Sequence, residues 1–404
     1  MTKIIFIVLD GLGDKPIPKL RNKTPLEAAK TPNLDWLAKN GKCGLIKPFQ
    51  FSWQKWPESD TSHLSLFGYN PKIYYLGRGP YEAAGINFKL RAGDVALRGN
   101  LGTVDNNLFV IDRRAGRISE TQPLIKALNG IKINDIKFLV KKSFGHRASL
   151  IIRGKNLSEK ITDADPHENQ VEVKKVFPKN KSNEAISTAR VLNKFLDKAH
   201  FILKNHPQNQ KREREGKLPA NYLLVRGAGK FNETPSFYKR YKLNACCIAG
   251  GALYKGIAKI LGMKILKVKG ATGLPNTNLK FKFQAVRNTA KKYNFVFCHI
   301  KAADSLAEDG NFQGKKAFIE KVDRNIKALF NLKDILIVVT GDHSTCCSLR
   351  RHCKELVPFL IYRKGLKPDN LHFNEKECKN GSLGQINQLN LLPRALAIAK
   401  NKDL

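Results

Sequence analysis

The chain has 404 residues, 42% of them hydrophobic, enough for two domains with separate cores and too apolar for a disordered tail. Its 72 basic and 34 acidic residues leave a net charge of +38, spread along the chain, which reads as a compositional bias or a taste for acidic substrates before a dedicated nucleic-acid function. Eight cysteines without a Cys-x-x-Cys spacing exclude a zinc ribbon, and the vicinal pairs Cys246-Cys247 and Cys346-Cys347 suit a disulfide framework poorly, so buried thiols in a reducing cytoplasm are expected.

The first predicted element is a strand, Ile4 to Leu9, apolar throughout. It is too short to span a bilayer, lacks a small-residue cleavage site and runs directly into Asp10-Gly11-Leu12-Gly13-Asp14, so a core strand is expected rather than a signal or membrane segment. A helix follows around Pro32 to Lys39. Next comes Pro57-Glu58-Ser59-Asp60-Thr61-Ser62-His63-Leu64, a hydroxyl-rich turn entering a helix. In structural terms Ser59 is an N-cap and Asp60 a first-turn acid; the same helix start offers free amides to a phosphate.

From about residue 74 to about residue 220 the texture changes to shorter strand-like runs, 96–104, 108–111, 136–140 and 148–152, with one long helix near Asn183 to Lys204. This predicts a second, α+β domain, residues 74–235, inserted into a core made of residues 1–73 and 236–404. Lys204 to Lys217, basic and rich in Asn, Gln and Pro, is predicted to be an exposed loop. The strand Tyr222 to Val225 delivers Arg226 at its end.

Alternation then resumes. It gives strand 244–248, helix 252–261, strand 264–268, helix 281–291, strand 294–300 leading to Asp304, helix 315–329, strand 335–340 leading to Asp342-His343-Ser344-Thr345, and strand 357–362. Strands separated by helices predict an α/β fold, a mostly parallel sheet flanked by helices. Carboxylates at the C-terminal ends of parallel strands, with imidazoles and a serine at a helix N-terminus, are the parts of a two-metal phosphoryl-transfer site. The Asp342-His343 pair alone presents one oxygen and one nitrogen ligand.

Almost the whole chain resembles the cofactor-independent phosphoglycerate mutases of archaeal type, in the alkaline phosphatase superfamily. The resemblance runs through Asp10-Gly11, Ser59 to Tyr69, Gly77 to Ala83, Asp112 to Arg117, His146-Arg147-Ala148, Asp163 to His167, Arg226 to Gly229, Gly270 to Gly273 and Asp342 to Thr345. It implies an alkaline-phosphatase-like core and interconversion of 3- and 2-phosphoglycerate through a phosphoserine, the phosphoryl group being carried by Ser59. One metal ion would take Asp10, Ser59, Asp342 and His343; the other Asp304, residue 308 and His352. The ions are expected to be Mn²⁺ or Mg²⁺, with Zn²⁺ or Co²⁺ as alternatives.

Arg113, Arg114, Arg117 and Arg147 are implied to bind the substrate's phosphate and carboxylate, and Arg226, Asp163, Asp165 and His167 to assist transfer, the acidic-imidazole group by moving a hydroxyl proton. The partner is thus a small phosphorylated acid; neither a membrane nor a functional nucleic-acid partner is expected, and the oligomeric state is not legible. The rivals are a related metal-dependent phosphohydrolase or phosphotransferase and an inactive, basic nucleic-acid-binding homologue.

Three positions depart from the family pattern. Glu308 stands in place of histidine, which favours harder cations over Zn²⁺; Glu58 replaces the glycine before the serine, where it would repel a phosphate unless it points away or pairs with a lysine; and Cys346 replaces a proline.

Overall fold

Ile4 to Leu9 is buried at every residue, as a strand covered on both faces must be. In the computed structural model, which describes residues 2–400, this strand is central to a sheet of the unit formed by the chain up to Tyr75 together with the chain from Pro235. The strands of that unit are β1 (Lys3–Leu9), β2 (Lys42–Lys47), β3 (Ala245–Ile248), β4 (Lys264–Ile265), β5 (Phe295–Ile300), β6 (Ile335–Thr340), β7 (Ser344–Cys346), β8 (Arg351–Cys353), β9 (Val357–Tyr362) and β10 (Gln385–Asn387).

Eight of them form one sheet in the order β4-β3-β5-β1-β6-β9-β2-β10, while β7 and β8 make a separate two-stranded hairpin. The run from β4 to β6 is parallel, and β9 is antiparallel to both of its neighbours. Because β1 pairs with β5 on one side and β6 on the other, with Val8 opposite both His299 and Thr340, three strand tips come level at the carboxyl edge. Helices cover the sheet, among them α1 (Ser59–Leu66), α2 (Ala302–Glu308) and α3 (Phe312–Ile326).

The second unit, Leu76–Thr234, lies within the first along the sequence. Its antiparallel sheet joins Val110–Asp112, Val95–Val104, Arg147–Arg153, Ile136–Lys142 and Lys132–Ile133, with Tyr222–Lys230 also paired to Val95–Val104. The apolar stripe of the long helix Asn183–Lys204 is buried against this sheet, Phe195 stacking on Phe138 at 4.2 Å.

Two readings are corrected here. Residues 207–214, read as loop, form the helix Pro207–Arg214. It has no apolar stripe to betray it; instead His206 caps its start and buried Asn209 donates to the carbonyls of Leu203 and Ala220 at 2.8 and 3.0 Å. The strand expected over 264–268 stops at Ile265, and β2 was not foreseen at all.

A buried ion pair fastens the loop after β1. Lys315 of α3, fully buried, donates to Asp14 at 2.9 Å and to the carbonyls of Gly13 and Thr345 at 3.0 and 2.9 Å, and Asp14 also accepts from the Cys347 amide at 3.0 Å. Lys315→Met strands the Asp14 carboxylate and should cost about 3–5 kcal/mol in urea unfolding. Lys316→Ala, which removes a partly exposed pair with Glu320, should cost at most about 1 kcal/mol. Equal midpoints for the two variants would contradict this.

Candidate active site

At the carboxyl edge of the first unit's sheet, β1 delivers Asp10, β6 delivers Asp342 and His343, and α2, starting just after β5, presents Asp304 in its first turn. All four side chains are buried. Their approach depends on Gly11, whose φ of +66° suits glycine and whose Cβ, if present, would come within 2.7 Å of the Asp304 backbone. The Gly11 amide donates to Asp342 Oδ1 at 3.1 Å, and the His343 amide donates to the same oxygen at 3.0 Å.

Ser59 begins α1; Glu58, not Ser59, occupies the capping position. Ser59 Oγ lies 3.0 Å from His343 Nε2, and that nitrogen lies 3.6 Å from Asp10 Oδ1 and 3.3 Å from Asp342 Oδ2. His352, on β8, stacks on His343 with ring centres 3.8 Å apart and approaches Asp304 Oδ1 at 3.5 Å. Two groups of ligand atoms result, Asp10-Asp342-His343 and Asp304-His343-His352, each gathered within 4.8 Å. Glu58 acts on His352 through its negative charge.

The donor chemistry fits divalent cations. Asp10 Oδ1 and Asp342 Oδ2 are buried without a hydrogen-bond partner, which is costly unless something positive meets them. Asp342 is pushed well above the usual carboxylate range by burial and by the charges of Asp10 and Asp304. Burial would lower His352, but its hydrogen bond to Asp304 and that charge carry it up to about 9. Both are marks of an excess of acid.

Four side chains around Asp10 were not foreseen. Its Oδ2 accepts from Tyr254 Oη, lies 3.1 Å from His299 Nε2 and 3.5 Å from Lys301 Nζ. Lys301 also reaches Asp304 at 2.6 Å, and the charges of Asp10 and Asp304 outweigh its burial and raise it well above its ordinary value. His63, one turn along α1 from Ser59, is pulled down to about 4 by burial and keeps Nε2 without a partner. Strand parity offered the only signal for His299 and Lys301, which flank the last residue of β5.

Glu308 stands apart from both ligand groups. It ends α2 and is exposed as a residue. Desolvation and the negative charge of Asp304 raise its carboxyl above the ordinary range, which places that carboxyl within electrostatic reach of the cluster.

The second unit holds its own constellation. Arg113 grips Asp165 with two parallel bonds, 2.9 and 2.7 Å, and donates to the His167 carbonyl at 3.0 Å. Arg226 meets His167 Nδ1 at 2.8 Å and Asp165 at 3.6 Å, while Asp163 accepts from the Gly227 amide at 2.8 Å and lies 3.5 Å from His167 Nε2. Arg114 and Arg117 are exposed outside these bonds. Burial, joined by the charges of Arg78, Arg226 and Arg147, lowers Arg98 to about 9 despite Glu82. Arg78 and Arg98 were not singled out in the sequence.

The family model described as Metalloenzyme superfamily matches residues 2–395. Among curated relatives, the chain is 42% identical over 395 residues to the 2,3-bisphosphoglycerate-independent phosphoglycerate mutase of Methanococcus aeolicus, covering 97% of this chain and 96% of that one. It is 44% identical over 389 residues to the same-named protein of Sulfolobus acidocaldarius, covering 94% of each. Among solved structures, a Pyrococcus horikoshii protein aligns with a TM-score of 0.85 at 33% identity, covering 100% of this chain and 98% of that one. The cofactor-independent phosphoglycerate mutase of Thermoplasma acidophilum aligns at 0.73 and 36%, covering 99% and 100%. Among the described residues no helix is long and apolar enough to cross a membrane.

Burial raises Asp165, but the bonds from Arg113 and the charge of Arg226 hold it below its ordinary value. A carboxyl depressed on folding adds stability above its unfolded pKa, about 3.9, and that stability is lost as pH falls through the lower folded value. Asp165→Asn should therefore lower stability at neutral pH by about 2 kcal/mol and flatten the loss of Tm with acidification below about pH 4. Parallel Tm profiles for the variant and the parent would refute the assignment.

Proposed function

The chain belongs to the 2,3-bisphosphoglycerate-independent phosphoglycerate mutases of the metalloenzyme superfamily, and from that premise we propose how its side chains interconvert 3-phosphoglycerate and 2-phosphoglycerate. The observation that carries the reading is the position of Ser59, whose hydroxyl meets the one histidine common to both ligand groups. Divalent cations would be held by Asp10, Asp342 and His343, and by Asp304, His343 and His352; when bound they supply positive charge that favours the serine alkoxide and the phosphoryl oxygens.

Ser59 Oγ attacks phosphorus as the bond from phosphorus to the glycerate oxygen breaks, giving phosphoserine and glycerate. The other glycerate hydroxyl then attacks the same phosphorus, and Ser59 leaves. The free amides at the start of α1 favour the phosphate on Ser59. Lys301, Tyr254 and His299 hold one oxygen of Asp10 and so fix its other oxygen toward His343.

In the second unit, both oxygens of Asp165 are engaged by arginine, which makes it an anchor rather than a base. The Asp163–His167 pair is the candidate to accept and return the proton of a glycerate hydroxyl, with Arg226 oriented through His167. Arg113, Arg147 and Arg226 supply the charge that recognises a phosphate and a carboxylate, with Arg114 and Arg117 at its exposed margin.

We further propose that Mn²⁺ or Mg²⁺ is the working metal and that Glu308 turns in to bind the second ion, its carboxylate moving preference away from Zn²⁺. Metal content per chain and activity should both fall in Glu308→Ala, while Glu308→His should keep two ions and shift preference toward Zn²⁺. Full occupancy in Glu308→Ala would make Glu308 a bystander.

The reaction itself is tested by an enolase-coupled assay on metal-supplemented protein. Mutase flux should exceed release of inorganic phosphate, and Ser59→Ala should remove the flux entirely while preserving the fold, with Ser62→Ala milder. Phosphate release without mutase flux would favour a phosphohydrolase, and mapping of trapped phosphate to Thr61 or Ser62 would overturn the choice of nucleophile.

A further inference from the structure

The hairpin that carries His352 is built unlike the rest of the site. Its strands, β7 and β8, are three residues each and form a two-stranded ribbon outside the main sheet, tied beyond their own pairing by bridges from Ser344 to Leu12 and Gly13 in the loop after β1. A two-stranded ribbon of that length has little stability of its own. Nothing in the spacing of eight cysteines had pointed to a bridge, yet register places Thr345 opposite His352, and the flanking Cys346 and Cys353 are joined by a disulfide, their Cα atoms 5.9 Å apart. The remaining cysteines are free and buried.

Each strand of the bridged hairpin holds part of the site. From β7, Thr345 donates to Asp304 Oδ1 at 2.7 Å. From β8, His352 Nδ1 donates to the Pro57 carbonyl at 2.7 Å, which fixes the tautomer that leaves Nε2 available to a cation, and Nε2 lies 3.5 Å from the same Asp304 oxygen. Arg351 stacks its guanidinium on Trp56 at 4.7 Å. The hairpin therefore sets the spacing of Asp304 and His352 and steadies the segment that leads to Ser59.

We propose that the Cys346–Cys353 disulfide is a positioning element of the second cation site, fixing His352 against Asp304 so that the site binds its ion only weakly once the bridge is reduced. Reduction needs a dithiol. One of its thiolates attacks a bridge sulfur, forming a mixed disulfide and releasing one cysteine thiolate; its second thiol then closes a ring and releases the other cysteine. Two electrons and two protons pass from the dithiol to the protein. By linkage, the cation must protect the bridge by the same factor that the bridge strengthens the cation.

The proposal rests on the second group being a cation site, and one set of measurements separates the two claims. Mn²⁺ is titrated into metal-free oxidised protein, dithiol-reduced protein and Cys346→Ser/Cys353→Ser, with bound ion read by electron paramagnetic resonance; His352→Ala with the bridge intact identifies the weakened site. The oxidised chain should bind two ions. The reduced and double-serine forms should bind one with unchanged affinity and the other at least tenfold more weakly, and Mn²⁺ should shift the dithiol equilibrium toward the bridge, by about 30 mV for each tenfold.

Two ions with unchanged affinity in every form would overturn the proposal, as would eight titratable thiols in the unfolded, untreated chain. Equal weakening of both ions would reduce the bridge to a general prop and overturn it too. Fewer than two ions in the oxidised chain would sink the cation site and the proposal together.

Discussion

Three carboxylates, Asp10, Asp304 and Asp342, are buried together at the tips of adjacent parallel strands, and the remainder of the first unit is arranged around the cost of keeping them there. Unit charges about 4 Å apart interact by roughly 4 kcal/mol at the effective dielectric of a partly buried site, so three like charges cannot share this space unaided. Lys301 answers part of the demand by reaching two of the three. Tyr254 and His299 meet the same Asp10 oxygen as Lys301, the Gly11 amide takes one oxygen of Asp342, and what is left bare is one oxygen each on Asp10 and Asp342. A site with that residue of unmet negative charge calls for cations.

The same constraint explains the loop after β1. To bring Asp10 beside Asp304 and Asp342, the chain must turn at Gly11 with no side chain and then be held away from its own strand, a task that falls to Lys315 and Asp14. Ser59 gains its setting from the same economy of space. His343 is common to both ligand groups, and the Ser59 hydroxyl meets its Nε2. The second unit gathers positive charge instead, with arginines that are either anchored by Asp165 or crowded with one another.

Much of this was legible because buried parallel strands announce themselves as unbroken apolar runs, so the residues just beyond them, Asp10, Asp304 and Asp342-His343, stand out. Ser59 was legible as the start of a helix, though its neighbour Glu58 takes the capping position. What supports those residues was not. His299 and Lys301 differ from ordinary strand-end residues only in which way they point, and Lys315 is one lysine among many in a chain of net charge +38. The helix Pro207–Arg214 is stabilised by a cap and a buried asparagine, with no periodicity to read. The Cys346–Cys353 bridge depends on hairpin register, which cysteine spacing does not encode.

The central claim is that buried carboxylate charge at the strand tips is balanced by divalent cations. The most direct measurement is elemental analysis of the purified chain after dialysis, with and without added Mn²⁺, on the parent protein and on Asp342→Asn, each paired with its thermal midpoint. The account predicts two ions per chain in the parent, a midpoint that rises with added Mn²⁺, and loss of at least one ion with most of that rise in the variant. A parent chain that binds no divalent ion, or an Asp342→Asn chain with the same ion content and the same response, would contradict it.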